Sequence, residues 1–217
     1  VIQAHAVRLF TERGYDATTV TDVAEAAGVS PMTVYRHFPT KEDLVLIDQH
    51  GQLVAECIAA TPAAQPLVRR IGSALIDSAT ALTSGRHGND LTADGRFLLA
   101  RLRLMISTPA LRAKHLDNHY ALQQAIVTAI EDDATDPETT FHAQAAASAC
   151  LAVLHTALTR WAEDDGRAEL PDLIAKALAA AFGDDIVDTR RDSGRPQPAG
   201  SPTRLAGADP GDPRCVR

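Results

Sequence analysis

Between Thr19 and Lys41, TVTDVAEAAGVSPMTVYRHFPTK, start and stop signals crowd so closely that they confine the chain to two short helices joined by a tight turn. Thr19 is an N-cap with Asp22 three residues on, a carboxylate variant of the capping box, and Gly28 closes the first helix. Ser30 caps the second. Pro31 suits its first position, where no amide hydrogen is needed, and Pro39 ends it just beyond Phe38.

The second helix has two faces. At a helical period Val34 and Phe38 point inward with Val29, while Met32, Thr33, Arg36 and His37 share the opposite side. That outer side suits a DNA groove: Arg can fork onto a guanine edge, Thr can reach a phosphate or a thymine methyl, and His or Tyr can donate to phosphate oxygens. A helical hairpin whose outer face is merely polar meets the same periodicity, so spacing alone leaves both readings open.

The order Thr19, Val20, then Val23-Ala24, Ala27-Gly28-Val29-Ser30, Thr33-Val34-Tyr35-Arg36-His37-Phe38 and Lys41-Glu42-Asp43-Leu44 resembles the helix-turn-helix of the TetR family of bacterial transcriptional regulators. The resemblance covers about the first fifty residues. It implies an all-α chain: an N-terminal three-helix DNA-binding domain, and behind it a C-terminal helical bundle for ligand binding and dimerisation. It also implies a double-stranded DNA operator, with Thr21, Thr33 and Arg36 near bases, Met32 on the same face, and Thr19, Tyr35, His37 and Lys41 near phosphates. In such proteins the helix after the reading head links it to the sensing body, so that a tilt of this link repositions the recognition helix.

Composition agrees with a helical protein and sits awkwardly with DNA. Of 217 residues 45% are hydrophobic and only 4% aromatic, which favours helix packing over sheets. The three cysteines, Cys57, Cys150 and Cys215, are far apart and in no CxxC arrangement, so neither a disulfide framework nor a zinc knuckle is indicated, and a reducing cytoplasm is the expected location. No charged-then-apolar signal segment opens the chain and no apolar run is expected to span a bilayer, so no membrane partner is expected. The net charge is -7, and residues 1–50 carry four Lys or Arg against seven Asp or Glu. The chain opens inside its first helix, where the resemblance implies a preceding basic arm, so a truncated start is expected.

In order, Ile2, Ala6, Leu9 and Phe10 define a first helix over 1–13, stopped by Gly14. After the helix-turn-helix, Thr40 caps a helix running to about Ala60 with Asp43 at its third position. Helices are predicted over 67–83, 96–107, 109–130, 137 to about 165, and 173–182, with a loop over 84–94. This gives a DNA-binding domain over 1–46, a ligand-binding and dimerisation domain over 47–183, and a tail over 184–217. Between Ser193 and Arg217 nine of 25 residues are Gly or Pro, so the tail is expected to be disordered.

The long helix carries Ala143, Ala145, Ala146, Ala147, Ala149 and Ala152, a surface another helix can approach closely. An ordinary core helix would do the same; the resemblance implies that this helix and the last pair with their copies in a homodimer. The effector is a small molecule of unknown identity. Arg96, Arg101, Arg103, Arg112 and Lys114, with no acidic residue among them, could meet an anionic head, although a solvated basic face fits them too. The run RFLLARLRLMISTPALRAKH also resembles the branch of the family that binds acyl-CoA-like ligands. The candidate pocket residues are Phe97, Arg101, Met105, His119 and Leu122. His115 and His119 have metal-ligand spacing but lack a third ligand, so no metal is assigned. No cofactor motif, catalytic triad or paired carboxylates stand out, so no enzyme is expected. The expectation is a dimeric ligand-responsive repressor. The alternatives are an activator on the same fold and a helical ligand sensor that has lost specific DNA binding.

Overall fold

The computed structural model describes residues 1–46, 50–84, 90–130 and 136–184, and its architecture over them is all-α. The head consists of α1 (Ile2–Arg13), α2 (Val20–Ala27), α3 (Pro31–His37) and the single-turn α4 (Asp43–Leu46). Its core is Ala6, Leu9, Phe10, Val23, Ala24, Val34 and Leu44, all buried, with α1 packed over α2 and α4. The expected caps form. The Asp22 N–H donates to Thr19 Oγ1 at 3.1 Å and the Thr19 N–H returns to Asp22 Oδ2 at 2.7 Å. Gly28 adopts the left-handed conformation at φ 68°, which lets the Val29 N–H reach the Ala24 carbonyl at 3.0 Å and turn the chain into α3. Ser30 Oγ then accepts from the Thr33 N–H at 3.1 Å.

The body comprises α5 (His50–Ala59), α6 (Leu67–Thr83), α7 (Ala93–Ser107), α8 (Pro109–Ile130), α9 (Pro137–Glu163) and α10 (Leu170–Phe182). Helix α9 packs on α6, α7, α8 and α10, and α5 lies across α6 and α8. Ile71, Leu75, Ile126, Leu151, Trp161, Ile174 and Leu178 are fully buried among them. Each such side chain contributes about 1.5–3 kcal/mol relative to exposure, enough to hold these helices without help from propensity.

Several boundaries differ from expectation for local reasons. The helix expected from Thr40 starts at Asp43, where Thr40 and Asp43 form a reciprocal box (Asp43 N–H to Thr40 Oγ1 3.3 Å, Thr40 N–H to Asp43 Oδ2 2.9 Å). Its continuity into α5 across 47–49 lies outside the described residues. Helix α7 starts three residues early because Thr92 Oγ1 caps the Gly95 N–H at 3.0 Å, so the loop ends sooner. Helix α10 starts at Leu170, with Pro171 in its first turn. Helix α9 gives way to a turn in which Asp165 (φ 56°) and Gly166 (φ 68°) are left-handed, and the Trp161 indole donates to the Ala168 carbonyl at 2.9 Å. The tail beyond Asp184 lies outside the described residues. Among the described residues one helix, α9, is long and apolar enough by length and composition to cross a membrane, a test that core helices pass as well, and 33% of that window is buried within the protein.

Candidate DNA-reading face and effector cavity

Helix α3 stands on the head with its apolar side down. Val34 is fully buried and Phe38 packs on the core, so Met32, Tyr35, Arg36 and His37 face solvent, with Met32 77% and Tyr35 49% exposed. Thr33 is half-buried, its hydroxyl 3.0 Å from Ser30 Oγ. Thr19 and Thr21 are exposed at the start of α2. The Thr19 hydroxyl donates to Asp22 Oδ2 at 2.6 Å, which commits it to the cap and holds the Asp22 carboxyl below the ordinary carboxylate range. Met32, Tyr35 and Arg36 thus form one outward patch, flanked by Thr33 and His37.

Lys41 departs from its expected phosphate role. Its ammonium donates to the Tyr15 carbonyl at 2.5 Å and lies over the Tyr15 ring, 4.2 Å from its centroid, with Phe10 on the same side at 5.5 Å. The physical reason is that the aromatic wall of α1 and the following turn offers a carbonyl and two π-faces within reach of the long stem. Tyr15 is itself buried and donates to Glu42 Oε1 at 2.9 Å; burial first, and that bond second, raise its pKa. Lys41 is therefore a strut of the head.

Helix α4 is where head meets body. Asp43, 5% exposed, pairs with Lys114 of α8 at 3.5 Å. At its other end the Val45 carbonyl accepts from Arg101 Nε at 2.6 Å and the Leu46 carbonyl from Asn118 Nδ2 at 3.1 Å. Donors from α7 and α8 thus reach backbone carbonyls of α4 and tie the head to the body. Arg101 and Asn118 also line a cavity.

That cavity holds about 430 Å³ between α5, α6, α7, α8, α9 and α10. Its wall is mostly aliphatic. On α7 the residues Leu98, Arg101, Leu102 and Met105 follow i, i+3, i+4, i+7 spacing and all face it. Of the expected pocket residues it gathers Arg101, Met105, His119 and Leu122. Phe97 is not among them: it lies one position off the α7 stripe, lines an adjoining groove with Ile2, His37 and Phe38 that shares Leu98 and Arg101 with the cavity, and carries the Arg101 guanidinium 5.7 Å from its ring centroid. The basic run does not converge either. Arg96 donates to the Leu91 carbonyl (2.6 Å), Arg112 to the Ile106 carbonyl (2.7 Å), Arg103 pairs with Asp165 and Lys114 with Asp43, leaving only Arg101 of the five on the cavity wall.

Sequence reasoning missed His155 and Asn118. From α9, His155 brings its ring to 5.3 Å from that of His115, which lies 5.8 Å from His119, and all three line the cavity. The signal for His155 is tertiary, since it comes from another helix; the signal for Asn118 was available, because it lies one turn before Leu122 on the same face of α8. Among the described residues no group of three or more His, Cys, Asp or Glu side chains is arranged to hold a metal ion.

Residues 2–46 match the family described as bacterial regulatory proteins, tetR family, and residues 90–182 match the MftR C-terminal domain. The chain belongs to the TetR family. Among TetR-family relatives it is 33% identical over 113 residues to the HTH-type transcriptional regulator TcmR of Streptomyces glaucescens, covering 51% of this chain and 49% of that protein. It is 52% identical over 40 residues to the transcriptional repressor KstR2 of Rhodococcus jostii, covering 18% and 20%. The matches thus span about half or less of these relatives. In fold it is similar to Thermus thermophilus FadR in complex with lauroyl-CoA (TM-score 0.51, 20% identity, 92% of this chain and 98% of that one). It is likewise similar to FadR from Bacillus subtilis in complex with stearoyl-CoA (TM-score 0.50, 19% identity, 84% and 97%).

Proposed function

We propose that this chain is a ligand-responsive transcriptional repressor, non-enzymatic and cytoplasmic, which binds a palindromic operator as a homodimer and is released by a small apolar effector. One observation carries the reading: two side chains on the cavity wall, Arg101 and Asn118, hold the Val45 and Leu46 carbonyls of α4, in the reading head. An occupant that draws on either donor, or displaces α7 from α8, changes the seat of α4 and with it the angle of α3. Effector binding then shifts the population toward heads whose spacing misfits the operator.

In this reading the head is 1–46, the body 47–183 and the tail 184–217. Arg36, Thr33 and Thr21 read bases with Met32 in van der Waals reach; Thr19, Tyr35 and His37 approach phosphates, and Lys41 supports the head from within. Dimerisation runs through α9 and α10. Phe141, Ala145, Ser148 and Ala152 recur at i, i+4, i+7 and i+11 on the exposed side of α9, an apolar and small-residue stripe on which a second copy can pack closely. Two recognition helices must lie about 34–36 Å apart to meet successive major grooves, which a two-fold pair supplies. An acyl thioester suits the aliphatic wall, although the basic residues expected at its head are occupied elsewhere.

The acidic head favours a second reading, a ligand sensor without specific DNA binding, since two of its cations are committed: Arg8 to Glu12 at 3.2 Å and Lys41 to Tyr15. Native mass spectrometry of the purified chain tests subunit count and retained ligand together. A dimer carrying a small apolar molecule supports the repressor; a monomer at micromolar concentration removes the basis for reading a palindrome.

A further inference from the structure

Among the described residues, the polar groups on the cavity wall are basic or neutral and no Asp or Glu lines it. From α5 the cavity meets Gln52, from α6 Ser78, from α7 Arg101, and from α8 and α9 the three histidines with Asn118; α10 adds only apolar side chains. Ser78 donates to the Leu75 carbonyl at 2.9 Å, and Arg101 and Asn118 donate to α4. The histidines sit together at one place, His115 and His119 half-buried and His155 exposed at the opening.

We propose that the cavity takes a free organic acid, an apolar body ending in a single carboxylate, with the carboxylate seated on the His115, His119 and His155 cluster. The assignment rests on reading this cavity as the effector site and names the chemistry of its occupant. An aliphatic cavity of this size suits a drug-sized apolar body. Among the described residues, the cluster is the only group of side chains on its wall that can acquire positive charge on demand, and a carboxylate accepts from several imidazole N–H groups at once.

Binding is linked to protons. Burial, and secondarily the neighbouring His155, hold the His119 pKa below its ordinary 6.5, so the His119 ring of the empty cluster is largely neutral near pH 7. A carboxylate placed there raises the pKa of the imidazole it touches, which takes one proton from solvent. Affinity therefore rises as the pH falls from about 8 toward 6, by up to about tenfold per unit, until the free His119 protonates by itself or the ligand becomes the neutral acid. Arg101 keeps its charge throughout and contributes no pH dependence.

The test is isothermal titration calorimetry of the full chain with dodecanoate, dodecan-1-ol and dodecanoyl-CoA, each in phosphate and in Tris near pH 7. The proposal expects dodecanoate to saturate at one per chain, about tenfold or more tighter than the alcohol. The two buffers should report uptake of close to one proton. H155L, at the exposed opening where folding is least at risk, should erase most of that preference for the acid over the alcohol and most of the proton uptake. Equal affinity for acid and alcohol without proton uptake overturns the carboxylate assignment and leaves the cavity reading standing. Binding of the thioester alone overturns it in favour of a nucleotide-bearing effector. Binding of none of the three overturns both this proposal and the cavity reading.

Discussion

Replacing Arg101 by Met removes the strongest strap between body and head while keeping a side chain of similar length in the wall. Arg101 is 8% exposed and its Nε lies 2.6 Å from the Val45 carbonyl. A hydrogen bond from a charged donor contributes about 1.5–3 kcal/mol, and a buried carbonyl left without its partner costs about 1–3 kcal/mol. These are one bond counted from its two ends and do not add. Relief of the buried charge's desolvation offsets part of the loss, so the net effect is about 1–2 kcal/mol. In urea, with a slope of roughly 2 kcal/mol/M, the midpoint of R101M falls by about 0.5–1 M. The control is R103A: its partner Asp165 and Arg103 itself are both about half exposed, at 55% and 50%, and exposed pairs contribute little, so that variant stays within about 0.5 kcal/mol of the parent. If R101M and R103A shift the midpoint equally, the seat of α4 does not depend on Arg101 and the proposed route from cavity to reading head is wrong.

Other expected outcomes follow from single sites. R36A should cost about 1–3 kcal/mol in operator affinity and relax one base position, read by competition with single-substitution duplexes; uniform weakening with a shallower salt slope would make Arg36 a phosphate contact. G166A should lower stability by about 1–3 kcal/mol, seen as a lower thermal midpoint, because φ is +68° and an added Cβ would lie 2.8 Å from Leu91 Cδ1. Cys150 is fully buried on α9 with its thiol pKa pushed up to about 12 by burial, so native iodoacetamide should leave it unmodified over a period that labels the half-buried Cys57. His119 is held below 6.5 by burial and by His155, so the unfolded chain binds more protons below that pH. Stability is therefore full above about 6.5 and falls as the pH drops toward the folded pKa, and H119Q should flatten that slope in urea melts between about pH 7.5 and 5.5.

The head was legible because its information is local. Thr19, Asp22, Gly28, Ser30 and Pro31 each act within one turn of themselves, and the structure places every one in the role its chemistry dictates. The seat of Lys41 was not legible, for the opposite reason. Its sequence neighbours put it on an exposed first turn, whereas Phe10 and Tyr15, some thirty residues earlier, decide where its ammonium goes. The cavity divides the same way. Arg101 and Met105 follow from periodicity along α7, but the exclusion of Phe97 depends on how α7 is rotated against α1. The histidine cluster depends on α9 crossing α8 at His115, and no pattern within either helix reports that crossing. The basic run from Arg96 to Lys114 looked like a patch in one dimension; helical geometry sends its members to the Leu91 carbonyl, Val45, Asp165, the Ile106 carbonyl and Asp43.

The central claim is that two copies of this chain read a palindrome through α3. It is tested most directly by selecting duplexes from a random pool with the purified full chain and sequencing the enriched fraction. The account predicts an inverted repeat with half-sites about one helical turn apart, lost from the selection when R36A replaces the parent. Enrichment of no sequence over the starting pool, from protein shown to be folded, would contradict it.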